Sequence, residues 1–384
     1  MKIPKIGLLP RILIAIALGI GCGFFFPDWL SRVFATFNDL FSEFLGFIVP
    51  LLIVGLIAPG IAELGRGAGR LLIVTVALAY VFTLFSGFFT WGVCDLSLPW
   101  LLEGAALSTA GGGGGDLAPY FSIPIPPLFD VMTALVLAFV LGLGMAFIKG
   151  DALRSVMDDF RDIIMKVIGK MIIPLLPLYI FGIFLGITVS GEVGSVMGVF
   201  IKLIVLIFAI TAVVLVIQFT VAGIVAKKNP FRMLGNMMTA YVTALGTQSS
   251  AATIPVTLQQ TLKNDVRPEI AGFVVPLCAT IHLSGSTMKI TACALAIMMM
   301  QGMAVDPVVF TGFIFMLGIT MVAAPGVPGG AIMAALGILQ SILGFDEATC
   351  GLMIALYIAM DSFGTAANVT GDGAVAVIIN KIAK

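Results

Sequence analysis

Asp361, Thr365, Asn368 and Asp372 stand at intervals of four, three and four residues inside an apolar stretch, residues 354–376. On a continuous helix that spacing puts all four side chains on one face. An ionised carboxylate in hydrocarbon costs at least ~2.5 kcal/mol, so acids within a span face a protected interior and serve a pathway or site. Two acids with an amide and a hydroxyl between them offer oxygen ligands to a small hard cation, or partners to an ammonium group. The bland alternative is a polar clamp that only fixes helix packing, but two acids are more than packing needs.

The elements that position these groups are membrane spans. The chain of 384 residues is 60% hydrophobic and 10% charged, with mean hydropathy +1.16. Soluble domains carry about 25% charged residues, so the composition is that of an integral membrane protein. A formal net charge of zero argues against a nucleic-acid partner. Cys22, Cys94, Cys278, Cys293 and Cys350 are scattered without a C-x-x-C pair, which suggests neither a disulfide framework nor a zinc site. Lys2, Lys5 and Arg11 precede an apolar run without a clear small-residue cleavage site. That start reads as a first span with a cytoplasmic N-terminus rather than a signal peptide.

Spans are expected at residues 12–26, 37–62 and 71–94, with Arg66 and Arg70 on the cytoplasmic side. An outer loop at 95–127 carries Asp95, Glu103, Asp116 and the glycine run 111–115. No Lys-Ser or Lys-Thr follows those glycines, so they read as a linker and not a phosphate loop. Further spans are expected at 128–148, 167–190 and 195–226, with a charged cytoplasmic connector at 149–166. The chain thus divides into scaffold spans at 1–127, three more spans at 128–232 and a core at 233–384.

That core breaks the pattern of simple spans. Residues 233–262 and 307–345 are uncharged and interrupted centrally, by G-T-Q-S-S-A-A-T-I-P and by A-A-P-G-V-P-G-G. Each reads as a re-entrant helical hairpin, because non-helical backbone at membrane depth survives only when buried in protein or lining a cavity. Paired Gly/Pro-interrupted segments also point to a transporter binding site. Between them, 270–303 is a helix pattern cut at Thr280–Ser286, and the last span covers 350–380. The fold class is therefore all-α and polytopic, with eight transmembrane helices and two hairpins.

T-Q-S-S-A-A-T-I-P (247–255), T-I-H-L-S-G-S (280–286), G-V-P-G (326–329) and D-S-F-G-T-A-A-N-V-T-G-D (361–372) occur in this order. Together they resemble the dicarboxylate/amino-acid:cation symporters, and within them the serine/threonine branch. The resemblance implies a homotrimer with elevator-like motion, a bacterial-type inner-membrane location and sodium as co-transported ion, with no other cofactor. It implies that Asp361 pairs with the substrate amino group. Thr365, Asn368, Ser249 and Ser250, with Ser286, Gly364, Val327 and Gly329, form the rest of the substrate site. It implies a sodium site at Thr280, His282, Asn368 and Asp372.

Departures from the family pattern are equally informative. Gly364 stands where the acidic-substrate branch has an arginine that grips a side-chain carboxylate. Ser284 replaces an Asp of a further sodium site, and Leu78 and Ala79 align with its hydroxyl ligands. That ion is therefore expected to be lost. The substrate class implied is small neutral amino acids: serine, threonine and alanine. The rival is a carboxylate or acidic amino-acid transporter, coupled to protons as well as or instead of sodium, with Lys289 as the gripping cation.

Lys289 itself has two open readings: a structural partner for Asp361 or Asp372, or a cation that replaces the lost sodium or arginine and takes part in coupling. His282, the only histidine, fits a carbonyl contribution beside a cation or a proton relay. No G-x-S-x-G elbow surrounds Ser249 or Ser250, so catalysis is not indicated. Methionines 298–300 read as packing. A channel and a membrane enzyme are the rivals outside the class. Single-channel currents would mark the first, and chemical conversion of the ligand the second.

Overall fold

The computed structural model describes residues 7–65, 70–102, 117–191, 193–324, 326 and 328–383. Lys2, Lys5, Arg66, Glu103, the glycine run 111–115, Asp116 and Val327 lie outside the described residues. In chain order the helices are α1 (Leu8–Gly23), α2 (Asp28–Gly65), α3 (Arg70–Leu101), α4 (Val131–Phe147), α5 (Ala152–Val167), α6 (Ile173–Val189) and α7 (Val193–Ala226). They continue as α8 (Pro230–Thr247), α9 (Ser250–Leu262), α10 (Pro268–Ile281), α11 (Ser284–Met300), α12 (Pro307–Ala323), α13 (Gly330–Leu343), α14 (Glu347–Ala359) and α15 (Asp361–Ile382). No strand occurs among the described residues.

By length and apolarity, residues 28–62, 70–101, 152–189, 193–226 and 268–300 can each cross a membrane. The pair α14–α15 makes a sixth candidate, bent by 62°. The outward face carries apolar side chains in quantity, such as Leu18, Val140, Val205 and Ile224, each more than half exposed. A soluble surface would not keep so much apolar area in water. Inside, α11 is buried at every position except Met299, and α14 is buried from Thr349 to Ala359. Helices buried all round form the centre of a large bundle, so the polar residues on α11 and α15 are necessarily interior.

The structure moves several expected boundaries. The connector 149–166 is mostly helical: Ala152–Val167 runs through a π-helical turn, Ile168–Ile172, into α6. Its charges pair locally, Arg161 with Asp158 at 3.2 Å, which lets an amphipathic helix form where composition suggested a link. Helix α3 continues through Asp95 and Pro99 to Leu101, shortening the outer loop. The last span is not continuous, because the helix ends at Ala359 and restarts at Asp361.

Interruptions at 247–250 and 281–284 fall where the sequence puts them. Helices α8 and α9 pack against each other across Gln248 and Ser249. Gln248 is left-handed (φ 54°), and the Ser249 side chain caps α9 through the Ala252 amide at 3.3 Å. Helices α12 and α13 likewise fold onto each other. Asp306 caps the start of that pair at the amides of Val308 and Val309, and Gly329, with φ 73°, leads into α13 between the two helices. Such capping satisfies amides that a helix start leaves unpaired.

Candidate functional site

The two hairpin tips touch: Ser249 Oγ donates to the Gly326 carbonyl at 3.1 Å. Beneath them lies a narrow cleft of about 10 Å³ lined by Gln248, Ser250, Leu283, Ser286, Gly326, Ala331, Tyr357, Asp361, Thr365 and Asn368. Larger crevices, lined by residues such as Asn38, Asp39 and Glu347, share no residue with it.

The break in α10–α11 is bound to α15 through Asn368. Its Oδ1 accepts from the amides of Gly285 at 2.7 Å and Ser286 at 3.3 Å, so a side chain of α15 caps α11. Its Nδ2 donates to Ser286 Oγ at 3.1 Å, which also accepts from the Tyr357 hydroxyl at 3.0 Å. The approach is close enough that a β-carbon at Gly285 would overlap the Gly364 carbonyl oxygen.

Asp361, the first residue of α15, is held on both oxygens. Oδ1 lies 3.0 Å from the Lys289 ammonium, and Oδ2 accepts from the Gly329 amide at 2.8 Å. Lys289 is therefore partnered with Asp361 and not Asp372. Its Nζ also sits 3.7 Å from the centre of the Tyr357 ring, in cation–π contact. The lysine chain lies across Gly364, where a β-carbon would overlap Cε and stand 2.6 Å from Nζ. A cation thus fills the space beside Gly364.

Asp372 lies outside the cleft lining. Its Oδ1 is 2.9 Å from His282 Nδ1, with both side chains at or below 1% exposure. Asp372 Oδ2, His282 Nε2 and both side-chain polar atoms of Gln218 have no hydrogen-bond partner among the described residues. Gln218 and His282 both close over Gly371, whose missing β-carbon would stand 2.7 Å from Gln218 Oε1 and 2.6 Å from His282 Cε1. The unpartnered carboxylate and amide oxygens are ligands of the kind a hard cation takes.

Of the residues singled out in the sequence, Ser250, Ser286, Asp361, Thr365 and Asn368 line the one cleft. Ser249 and Gly329 reach it through the tip contacts, and Gly364 through Lys289. Thr280 stands apart, with an exposed side chain whose hydroxyl donates to its own helix at the Leu277 carbonyl. Tyr357 and Gln218 went unnoticed. A tyrosine four residues before Asp361 and a lone amide in the apolar run 193–226 were the available signals.

Helix breaks that meet around buried charges in an apolar bundle are the architecture of a membrane transporter site. The chain belongs to the sodium:dicarboxylate symporter family, whose model matches residues 8–382. It is similar to the serine/threonine transporter SstT of Acinetobacter baumannii (strain AYE), 28% identical over 386 residues that cover 96% of this chain and 95% of that protein. It is 25% identical to the SstT of Acinetobacter baylyi, over 99% of this chain and 98% of that one. The family its motifs resemble is thus the one it belongs to. It is a sodium-coupled symporter and a multi-pass membrane protein.

Proposed function

We propose that this symporter imports small neutral amino acids, with serine, threonine and alanine first, down the sodium gradient across a bacterial-type cytoplasmic membrane. The supporting observation is the convergence of Ser250, Ser286, Asp361, Thr365 and Asn368 on one small buried cleft, and the relatives named as serine/threonine transporters agree with it. Asp361 takes the substrate amino group, a buried charge pair strong enough to anchor it. Ser250 and Asn368 take the carboxylate together with the tip backbone, while Thr365 and Ser286 face the side-chain end.

Sodium is held by Asp372 and Asn368 with carbonyl oxygens at the α10–α11 break, around Thr280 and His282. In this reading, eight spans and two re-entrant hairpins form each subunit of a homotrimer, with the N-terminus inside. Residues 233–384 carry the site and move as an elevator past the rest. The Ser249–Gly326 and Gly329–Asp361 contacts close the tips over the cleft, and parting them admits substrate.

A second reading is favoured by one observation, the Lys289 ammonium beside Gly364. There it would grip a second carboxylate of a dicarboxylate or acidic amino acid. Uptake of labelled serine, threonine, alanine, aspartate and succinate into proteoliposomes, under separately imposed sodium and proton gradients, tests both. Sodium-driven serine uptake that aspartate and succinate do not inhibit supports the first, and preference for either acid supports the second.

A further inference from the structure

We propose that Lys289 is a tethered counter-ion: its ammonium occupies the seat on Asp361 that a substrate's amino group takes, and Gly364 is the gap that lets it reach there. The inference rests on the amino-acid reading above.

Three observations carry it. First, the lysine ammonium lies 3.0 Å from Asp361 Oδ1, the place an amino group must occupy to pair with that acid. Second, the lysine chain lies flat on the α15 backbone at Gly364, where any β-carbon would overlap it. Gly364 thus leaves the room beside the cleft that the lysine chain needs to reach Asp361. Third, the other carboxylate oxygen is held by the Gly329 amide at 2.8 Å, on the tip of the α12–α13 hairpin. Asp361 is thus satisfied from within the protein on both sides, by one rigid helix and one hairpin tip.

Charge explains the use of such a device. A lone carboxylate in a closed, dry cleft is expensive, and a carrier that performs net uptake must return without its substrate. With Lys289 seated on Asp361, the pair is neutral when the site holds no amino acid. When a zwitterionic amino acid enters, its ammonium takes Asp361, Ser250 and Asn368 hold its carboxylate, and the displaced lysine ammonium stays nearby as a countercharge. The buried sum is again zero. An acidic amino acid would leave an excess negative charge, so the same lysine favours substrates of zero net charge. Lys289 is accordingly a specificity-determining residue, and the empty return step is where its loss is felt most.

The test separates return from exchange. Proteoliposomes with wild type, Lys289→Met or Gly364→Ala are assayed for net serine uptake under a sodium gradient. Serine–serine exchange is then measured with sodium and serine on both sides. Exchange does not require the empty carrier to return. The ratio of exchange to net uptake should therefore rise about tenfold or more in both variants, since a rarely populated return-competent state scales the net rate down in proportion. Gly364→Ala keeps the charge and removes only its seat. Should Lys289→Met fail to fold, it carries the test, together with Lys289→Ala assayed with and without millimolar ethylammonium. Recovery of net uptake with ethylammonium, but not with tetramethylammonium, supports the proposal. A ratio that stays at the wild-type value in variants that still bind sodium and serine overturns it, as does loss of serine binding in a folded Lys289 variant, which would make the lysine a direct anchor. If wild type itself neither takes up nor exchanges serine, threonine or alanine, the amino-acid reading falls and this inference with it. Amino-acid transport by wild type with unchanged ratios removes this inference alone.

Discussion

Lys289 and Asp361, 72 residues apart in the chain, meet at 3.0 Å in the interior of the bundle, each from a helix that begins at a break beside the cleft. Removing one partner leaves the other buried and unpaired, which costs about 3–5 kcal/mol in such sites. Asp361→Asn should therefore lower both serine binding and the unfolding temperature in detergent. Adding Lys289→Met to Asp361→Asn should restore most of the thermal stability and none of the binding. Wild-type serine affinity in a folded Asp361→Asn protein would remove Asp361 from the amino-group site.

Asp372 and His282 form the second buried pair, 2.9 Å apart. In the proposed sodium site, Asp372→Asn removes the one full negative charge found there among the described residues. The sodium concentration for half-maximal serine uptake should rise about tenfold or more, as expected for a lost buried charge interaction of at least 1.4 kcal/mol. A sodium titration of uptake checks this, and an unchanged midpoint would place the coupled ion elsewhere.

Gly285 brings the α11 backbone against α15. A methyl group there meets the Gly364 carbonyl oxygen and Ala367, and overpacking against backbone costs about 1–3 kcal/mol. Gly285→Ala should lower the unfolding temperature and weaken serine binding together, because the Asn368 bonds to the Gly285 and Ser286 amides depend on the same approach. Unaltered stability would mean that the two helices have slack at this point.

Ser249 both caps α9 and bonds the opposite tip at Gly326. Ser249→Ala should cost about 1 kcal/mol through the cap alone. It should also raise the rate at which a cysteine placed at Thr365 reacts with a membrane-impermeant thiol reagent, since the tips part more often. Equal labelling rates with and without Ser249→Ala would show that the tip contact does not gate the cleft.

Serine should compete for uptake far better than aspartate. With the substrate amino group on Asp361 and the Lys289 ammonium balancing the α-carboxylate, a second carboxylate would enter the cleft with most of its desolvation cost uncompensated. Competition assays at neutral pH decide it. Aspartate as the better inhibitor would make Lys289 a carboxylate grip.

Much of this site was legible in the sequence because it is written in local signals. The interruptions at 247–250 and 281–284 show as Ser/Thr/Gly breaks in apolar runs, and three of the four polar positions spaced along 361–372 do share the cleft. Capping residues such as Asp306, Asp346 and Asn229 sit where helices begin. These follow from backbone propensity and helical period, which neighbouring residues set. The break at Met360 was not legible, since an apolar run with helical spacing continues straight through it; in the fold α14 and α15 meet there at 62° and both pack against α11. The pairing of Lys289 was equally hidden. Asp361 and Asp372 both offered a carboxylate, and the choice depended on how α11 crosses α15. The glycine at 364 reads in the sequence as a missing cation, yet in the fold it is the space that a lysine from another helix enters. Asn368 reads as a ligand, and only the fold shows that its side-chain oxygen also caps the start of α11. Sequence determined which groups are present and which segments break, whereas the crossing of helices distant in the chain decided which charge meets which, because that depends on packing that no local pattern encodes.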